Sequence, residues 1–206
     1  MTDNTGVLGT LERWRSVAFL APGVAFVLVS INAGLILVAN TGMNLSPLVH
    51  LGLMLVAYVG LLGLSSRLVE RAPRLGRVGQ VFVLIFGLEI VLTFGVGLLP
   101  SLMSRPLFAV TVAMGVLGSA LTMTVFGTTT LWTGAYSRRV GGFLLLAALG
   151  LSIVLVKALL FGDVGGPEWV AIVNNGLVGL SLIAVGVLVW TESDSTEQTE
   201  STETVA

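Results

Sequence analysis

Two charged side chains lie well inside the long apolar stretches of this sequence, Glu89 and Lys157. A charge at the centre of a bilayer costs roughly 2.5–3.5 kcal/mol on insertion scales, so each marks a candidate functional site. Asn32, His50, Thr93, Asn174 and Asn175 fall in the same half of the predicted spans. Thr93 follows Glu89 by one helical turn, on the same face. Together these seven residues define a candidate polar pocket opening toward one side of a membrane. Its chemistry would be the binding of a small polar or charged solute. Glu89 and Lys157 could both stay charged if paired, and either could be neutral if alone. Their depths differ by about six residues, roughly 9 Å along a helix. A direct ion pair therefore needs tilt, helix offset, or a bridging water or Asn.

A structural reading stands beside this one. Lys157 can snorkel to the nearer interface. His50 can sit among headgroups. The asparagines can join helices, at about 0.6 kcal/mol per hydrogen bond. Glu89 lies too deep to snorkel easily, but a protonated Glu bonded across a helix junction would also be purely structural. For the set as a whole the structural reading is preferred.

Much chemistry is excluded. The chain has no cysteine, which removes disulfides, thiol catalysis and thiolate metal sites. His50 is the single histidine, too few for a bis-histidine haem or a multi-histidine zinc site. No phosphate-binding loop of the form G-x-x-x-x-G-K-[ST] and no G-x-S-x-G elbow is present. Net charge is −1, which gives no bulk attraction to nucleic acid. No nucleophile–base pair falls within the spans. The sequence predicts no enzyme, no cofactor and no metal.

The elements that must position these groups follow from composition. Of 206 residues, 55% are hydrophobic and 10% charged, and mean hydropathy is +1.00. A soluble domain carries about 25% charged residues, so this is an integral membrane protein. Six apolar stretches reach spanning length, near residues 17–39, 48–64, 78–99, 107–132, 141–161 and 169–190. They are too long and too uniformly apolar for barrel strands. The predicted fold is an all-α polytopic bundle of six transmembrane helices. Five of the six prolines fall at or outside helix ends; Pro22, near the start of the first span, implies first-turn tolerance or a mild kink. Thr111, Gly115 and Ser119 repeat at four-residue spacing, which suits the fourth helix to close packing, with a homodimer face as the alternative.

Arginines set the orientation. Arg13, Arg15, Arg67, Arg71, Arg74, Arg77, Arg138 and Arg139 fall on one side of a six-span arrangement, leaving Arg105 on the other. By the positive-inside rule both termini are cytoplasmic and the protein is multi-pass in the cell membrane. Trp14, Trp132, Trp169 and Trp190 mark span ends, where indoles settle. Residues 1–16 form a short cytoplasmic segment, 17–190 the transmembrane domain, and 191–206 an acidic disordered tail. The arginines between the second and third spans could hold anionic headgroups, but setting topology is the simpler role. The expected partner is the lipid bilayer, with a protein partner or a second copy left open.

From Thr130 to Leu151 a helix ends, a short basic turn passes through Arg138 and Arg139, and a glycine-rich helix begins. This stretch loosely resembles the small uncharacterised six-helix membrane proteins of bacteria and archaea. The resemblance implies the fold and assigns no catalytic residue. The expected function is a non-catalytic membrane component, an accessory subunit or scaffold. The alternative is a small transporter, channel or ligand sensor using the pocket around Glu89 and Lys157.

Overall fold

The computed structural model describes the backbone of residues 7–43, 45, 47–99, 101, 106–161 and 168–203, and side chains within 14–43, 45, 48–99, 101, 108–156 and 169–192. Six long helices account for nearly all of it: α1 (Val7–Ala39), α2 (Pro47–Arg71), α3 (Pro73–Gly97), α4 (Pro106–Thr133), α5 (Arg138–Phe161) and α6 (Glu168–Glu203). Each is long and apolar enough to cross a membrane. No strand occurs among the described residues. A helix satisfies its own backbone hydrogen bonds, which hydrocarbon cannot do for it.

The helices form a closed ring. Each packs on its neighbour in sequence, α1 closes onto α6, and α2 also touches α4. Met54, Leu61, Met123, Leu144, Leu151, Val178, Leu182 and Val185 belong to one buried apolar cluster within the ring. Leu and Val face both the core and the outside. Small and polar residues tell the two apart: Ser30, Ser65, Ser119, Thr122, Thr129, Thr130 and Ser181 are all buried. Where lipid is as apolar as the core, close packing and hydrogen bonds decide which face turns inward.

Glycine sets the tightest contacts. A Cβ on Gly23 would lie 2.8 Å from the Ile183 nitrogen and 2.9 Å from the Gly179 carbonyl, and one on Gly179 would lie 2.8 Å from the Gly23 carbonyl. Backbone thus meets backbone between α1 and α6. Gly127 and Gly141 do the same between α4 and α5, each facing the other's carbonyl within 2.9 Å.

The helices overrun the spans expected from hydropathy, mostly at the arginine end. The second and third spans were expected to stop near Leu64 and restart near Val78. Instead α2 continues to Arg71, α3 starts at Pro73, and Ala72 alone separates them. Proline suits the first helical turn, where its missing N–H has no intrahelical partner. Arg67, Arg71, Arg74 and Arg77 therefore stand on helix ends and not on a loop. Likewise α1 begins at Val7, so Pro22 is interior. First-turn tolerance does not apply there, and the Ala18 carbonyl loses its usual N–H donor. The tail was expected to be disordered from Thr191, whereas α6 runs to Glu203. No Gly or Pro follows Trp190 to stop the helix.

At the opposite end, Asn40 adopts φ 50° beyond the last turn of α1. The Thr41 N–H then reaches back to the Leu35 carbonyl at 3.3 Å, as in a helix end closed by a left-handed residue. All four tryptophans are exposed near span ends, in line with an interfacial position.

Candidate functional site

Glu89 projects from the middle of α3 toward α4. Its Oε1 accepts the Thr93 hydroxyl at 2.9 Å. Its Oε2 is buried without a hydrogen-bond partner. That oxygen sits in the notch over Gly115, 2.8 Å from where a Cβ would be. One turn further along α4, Ser119 donates to the Gly115 carbonyl at 2.8 Å. Tyr58 of α2 closes the group: its hydroxyl lies 3.3 Å from both Ser119 Oγ and Thr122 Oγ1. The junction of α2, α3 and α4 thus holds Tyr58, Glu89, Thr93, Ser119 and Thr122. The sequence foresaw Glu89 with Thr93 from their spacing. Tyr58 was missed because a tyrosine in an apolar span reads as core.

His50, Asn174 and Asn175 belong to a different sector. The His50 ring on α2 lies 6.0 Å from the Phe26 ring on α1, and it faces the Asn175 amide on α6. Asn174 and Asn175 are 8% and 3% exposed, and the Oδ1 atom of each is buried without a partner. Nearby, Ser30 of α1 donates to the Ile172 carbonyl of α6 at 2.8 Å. His50 and Tyr58 are eight residues apart on α2, about 12 Å at helical rise, with buried Leu51, Met54 and Ala57 between them. The two groups therefore stand at different helix junctions.

Asn32 joins neither group. Its Nδ2 donates to the Met43 carbonyl at 2.9 Å and its Oδ1 accepts the Met43 N–H at 3.0 Å. This pair of hydrogen bonds clasps the turn between α1 and α2 at an exposed position. The Lys157 side chain lies outside the described residues. Its helix α5 packs on α4 and α6, whereas the helix of Glu89 packs on α2 and α4.

A third polar group was not foreseen. Arg15 of α1 is only 3% exposed. Its Nη1 donates to the Tyr136 hydroxyl at 3.4 Å, and that hydroxyl donates to the Leu64 carbonyl at 3.3 Å. The Arg15 and Arg67 guanidinium carbons stand 5.7 Å and 5.5 Å from the centre of the Tyr136 ring, within cation–π range. Next to it, the Ser137 N–H donates to Glu192 of α6 at 3.0 Å. Gly134, with φ 60°, ends α4 and turns the chain so that Tyr136 tucks beneath the arginines. The sequence assigned Arg15 to topology, and Arg67 to topology in preference to anionic headgroups. The available signal was a lone tyrosine in a four-residue turn beside two arginines.

Chemically, the described residues offer hydrogen-bonding and ionic groups. Among the described residues no three His, Cys, Asp or Glu side chains could together hold a metal ion. No family model, no curated protein and no solved structure matches this chain.

Proposed function

We propose that this chain is a non-catalytic component of the cell membrane, a scaffold or accessory subunit with no reaction of its own. One observation carries the reading. The polar residues that could have shared one pocket are divided among separate helix junctions around one buried apolar cluster. Several buried hydroxyls bond to carbonyls of their own helix, including Ser119, Thr122 and Ser152. Such back-bonds satisfy the hydroxyls within their own helix and leave them little capacity to line a route for solute. In this reading both termini face the cytoplasm, with the arginine end inward. The surroundings are lipid, with a protein partner or a second copy on the outer face, and nucleic acid has no role.

A second reading, a small transporter or ligand sensor, is favoured by the unpartnered Oε2 of Glu89. Reconstitution into liposomes tests the two. A non-catalytic component gives proteoliposomes whose proton and sodium fluxes equal those of empty liposomes. A flux present in the wild type and lost in Glu89→Gln would establish the transporter reading instead.

A further inference from the structure

The Glu89 carboxyl is satisfied on one oxygen and bare on the other. Oε1 takes the Thr93 hydroxyl, while Oε2 is buried beside Gly115 with no donor. The hydroxyls of Ser119 and Thr122 are hydrogen-bonded to that of Tyr58 at the same junction. Every functional group there is an oxygen.

Among the described residues no basic side chain is placed to neutralise the carboxylate. α4 contains no titratable residue, and on α2 the titratable group at this level is Tyr58. His50 and Arg67 lie eight and nine residues from Tyr58 along α2, about 12 and 14 Å. On α3 the nearer arginine is Arg77, twelve residues from Glu89, about 18 Å. Glu89 forms no ion pair among the described residues. An isolated carboxylate in an apolar medium is strongly disfavoured, so a counter-charge must be held or a proton taken up.

The geometry points to a binding site for a small monovalent cation, a proton or a sodium ion, held by Glu89 Oε2 in the Gly115 notch at the α2–α3–α4 junction. Carboxylate and hydroxyl oxygens suit hard cations and not soft transition metals. A single carboxylate balances one positive charge; a divalent ion would leave a net charge in hydrocarbon. Gly115 is required because its missing side chain leaves room for the carboxylate oxygen that holds the ion. The site is independent of the reading above, since a static component and a transporter could each carry such an ion.

The test uses the full chain in detergent and dicyclohexylcarbodiimide. This hydrophobic reagent adds the O–H of a protonated carboxyl across its C=N bond, giving an acylisourea that rearranges to a stable acylurea with no leaving group. Mass spectrometry locates the adduct. A proton site gives modification of Glu89 that rises as pH falls and ignores the added salt. A sodium site gives modification that sodium chloride suppresses and choline chloride does not. At a sodium concentration of 100 times Kd, modification slows about 100-fold, because about 1% of sites remain free. Melting temperature is read in parallel for the wild type, Glu89→Gln and Gly115→Ala. The bound cation raises it in the wild type, and both variants lose that response. A cation-dependent melting shift confined to the wild type supports the site even if the bulky reagent cannot enter. Modification indifferent to both pH and sodium overturns the proposal. So does its absence together with a wild-type melting temperature that neither cation shifts. Failure here leaves liposome flux unaffected, so the two readings fail separately.

Discussion

The α1–α6 seam and the α3–α4 contact both depend on glycine, and they use it differently. Between α1 and α6, Gly23 and Gly179 bring the two backbones together, and Gly186 approaches the Ser16 carbonyl in the same way. Between α3 and α4, glycines make sockets for side chains. Phe86 fills the space over Gly118, Phe126 fits against Gly79, and the Glu89 carboxyl lies over Gly115. Of these four helices α3 is the least buried, 22% of its span against 33% for α1, 39% for α4 and 50% for α6. The deepest acid of the bundle is therefore carried on its most exposed helix, and it is held by side chains that can move. The seam is built to stay fixed, whereas the socketed contact can adjust.

The difference can be broken by adding one methyl group on each side. Gly179→Ala places a Cβ 2.8 Å from backbone atoms of Gly23 and Val27, which cannot rotate away. A loss of about 3 kcal/mol is expected, the upper part of the overpacking range, read as a lowered melting temperature in detergent. Gly118→Ala meets the Phe86 ring instead. That ring can swing toward lipid, so the loss should be nearer 1.5 kcal/mol. Equal losses at the two positions would remove the distinction between seam and socket.

Two smaller changes measure polar contacts against this packing. Tyr136→Phe removes the hydroxyl shared by Arg15 and the Leu64 carbonyl but keeps the ring under both guanidiniums. About 1 kcal/mol should be lost, the usual net worth of a hydrogen bond. Asn32→Ala releases the clasp on Met43 at an exposed turn. About 0.5 kcal/mol is expected, because water replaces both partners. The local effect should be larger, with faster amide hydrogen exchange around Met43 than in the wild type.

The sequence shows how deep a residue lies far better than which way it points. Hydropathy located all six spans, and the Glu89–Thr93 contact was legible because a four-residue spacing fixes a shared face. The direction of Asn174 or His50 was not legible. A helix that is apolar all round carries no stripe to show which side meets the core. Grouping by depth therefore could not separate the Glu89 and His50 junctions, nor Asn32, whose partner Met43 is a turn residue. Span ends were underestimated for a related reason. Arginine ends a hydropathy window, yet its long side chain lets the helix continue to Arg71 while the charge reaches water. The chain has two tyrosines, Tyr58 and Tyr136, and each is buried with its hydroxyl engaged at a helix junction. Two such residues in a predominantly apolar bundle were the overlooked pointers to the polar sites.

Water access at the two junctions is the most direct test of the division between them. The chain lacks cysteine, so single cysteines can be placed without background. Thr93→Cys reports on the Glu89 junction, Asn175→Cys on the His50 sector, and the exposed Arg139→Cys serves as reference. Each is reacted in sealed liposomes with a membrane-impermeant maleimide, a reagent that needs water and is far bulkier than a proton or a sodium ion. Labelling at position 139 and none at 93 or 175 is the predicted result, since both junctions are packed and separate. Labelling of both 93 and 175 from the same side of the membrane would reveal one wet cavity joining them and contradict the account.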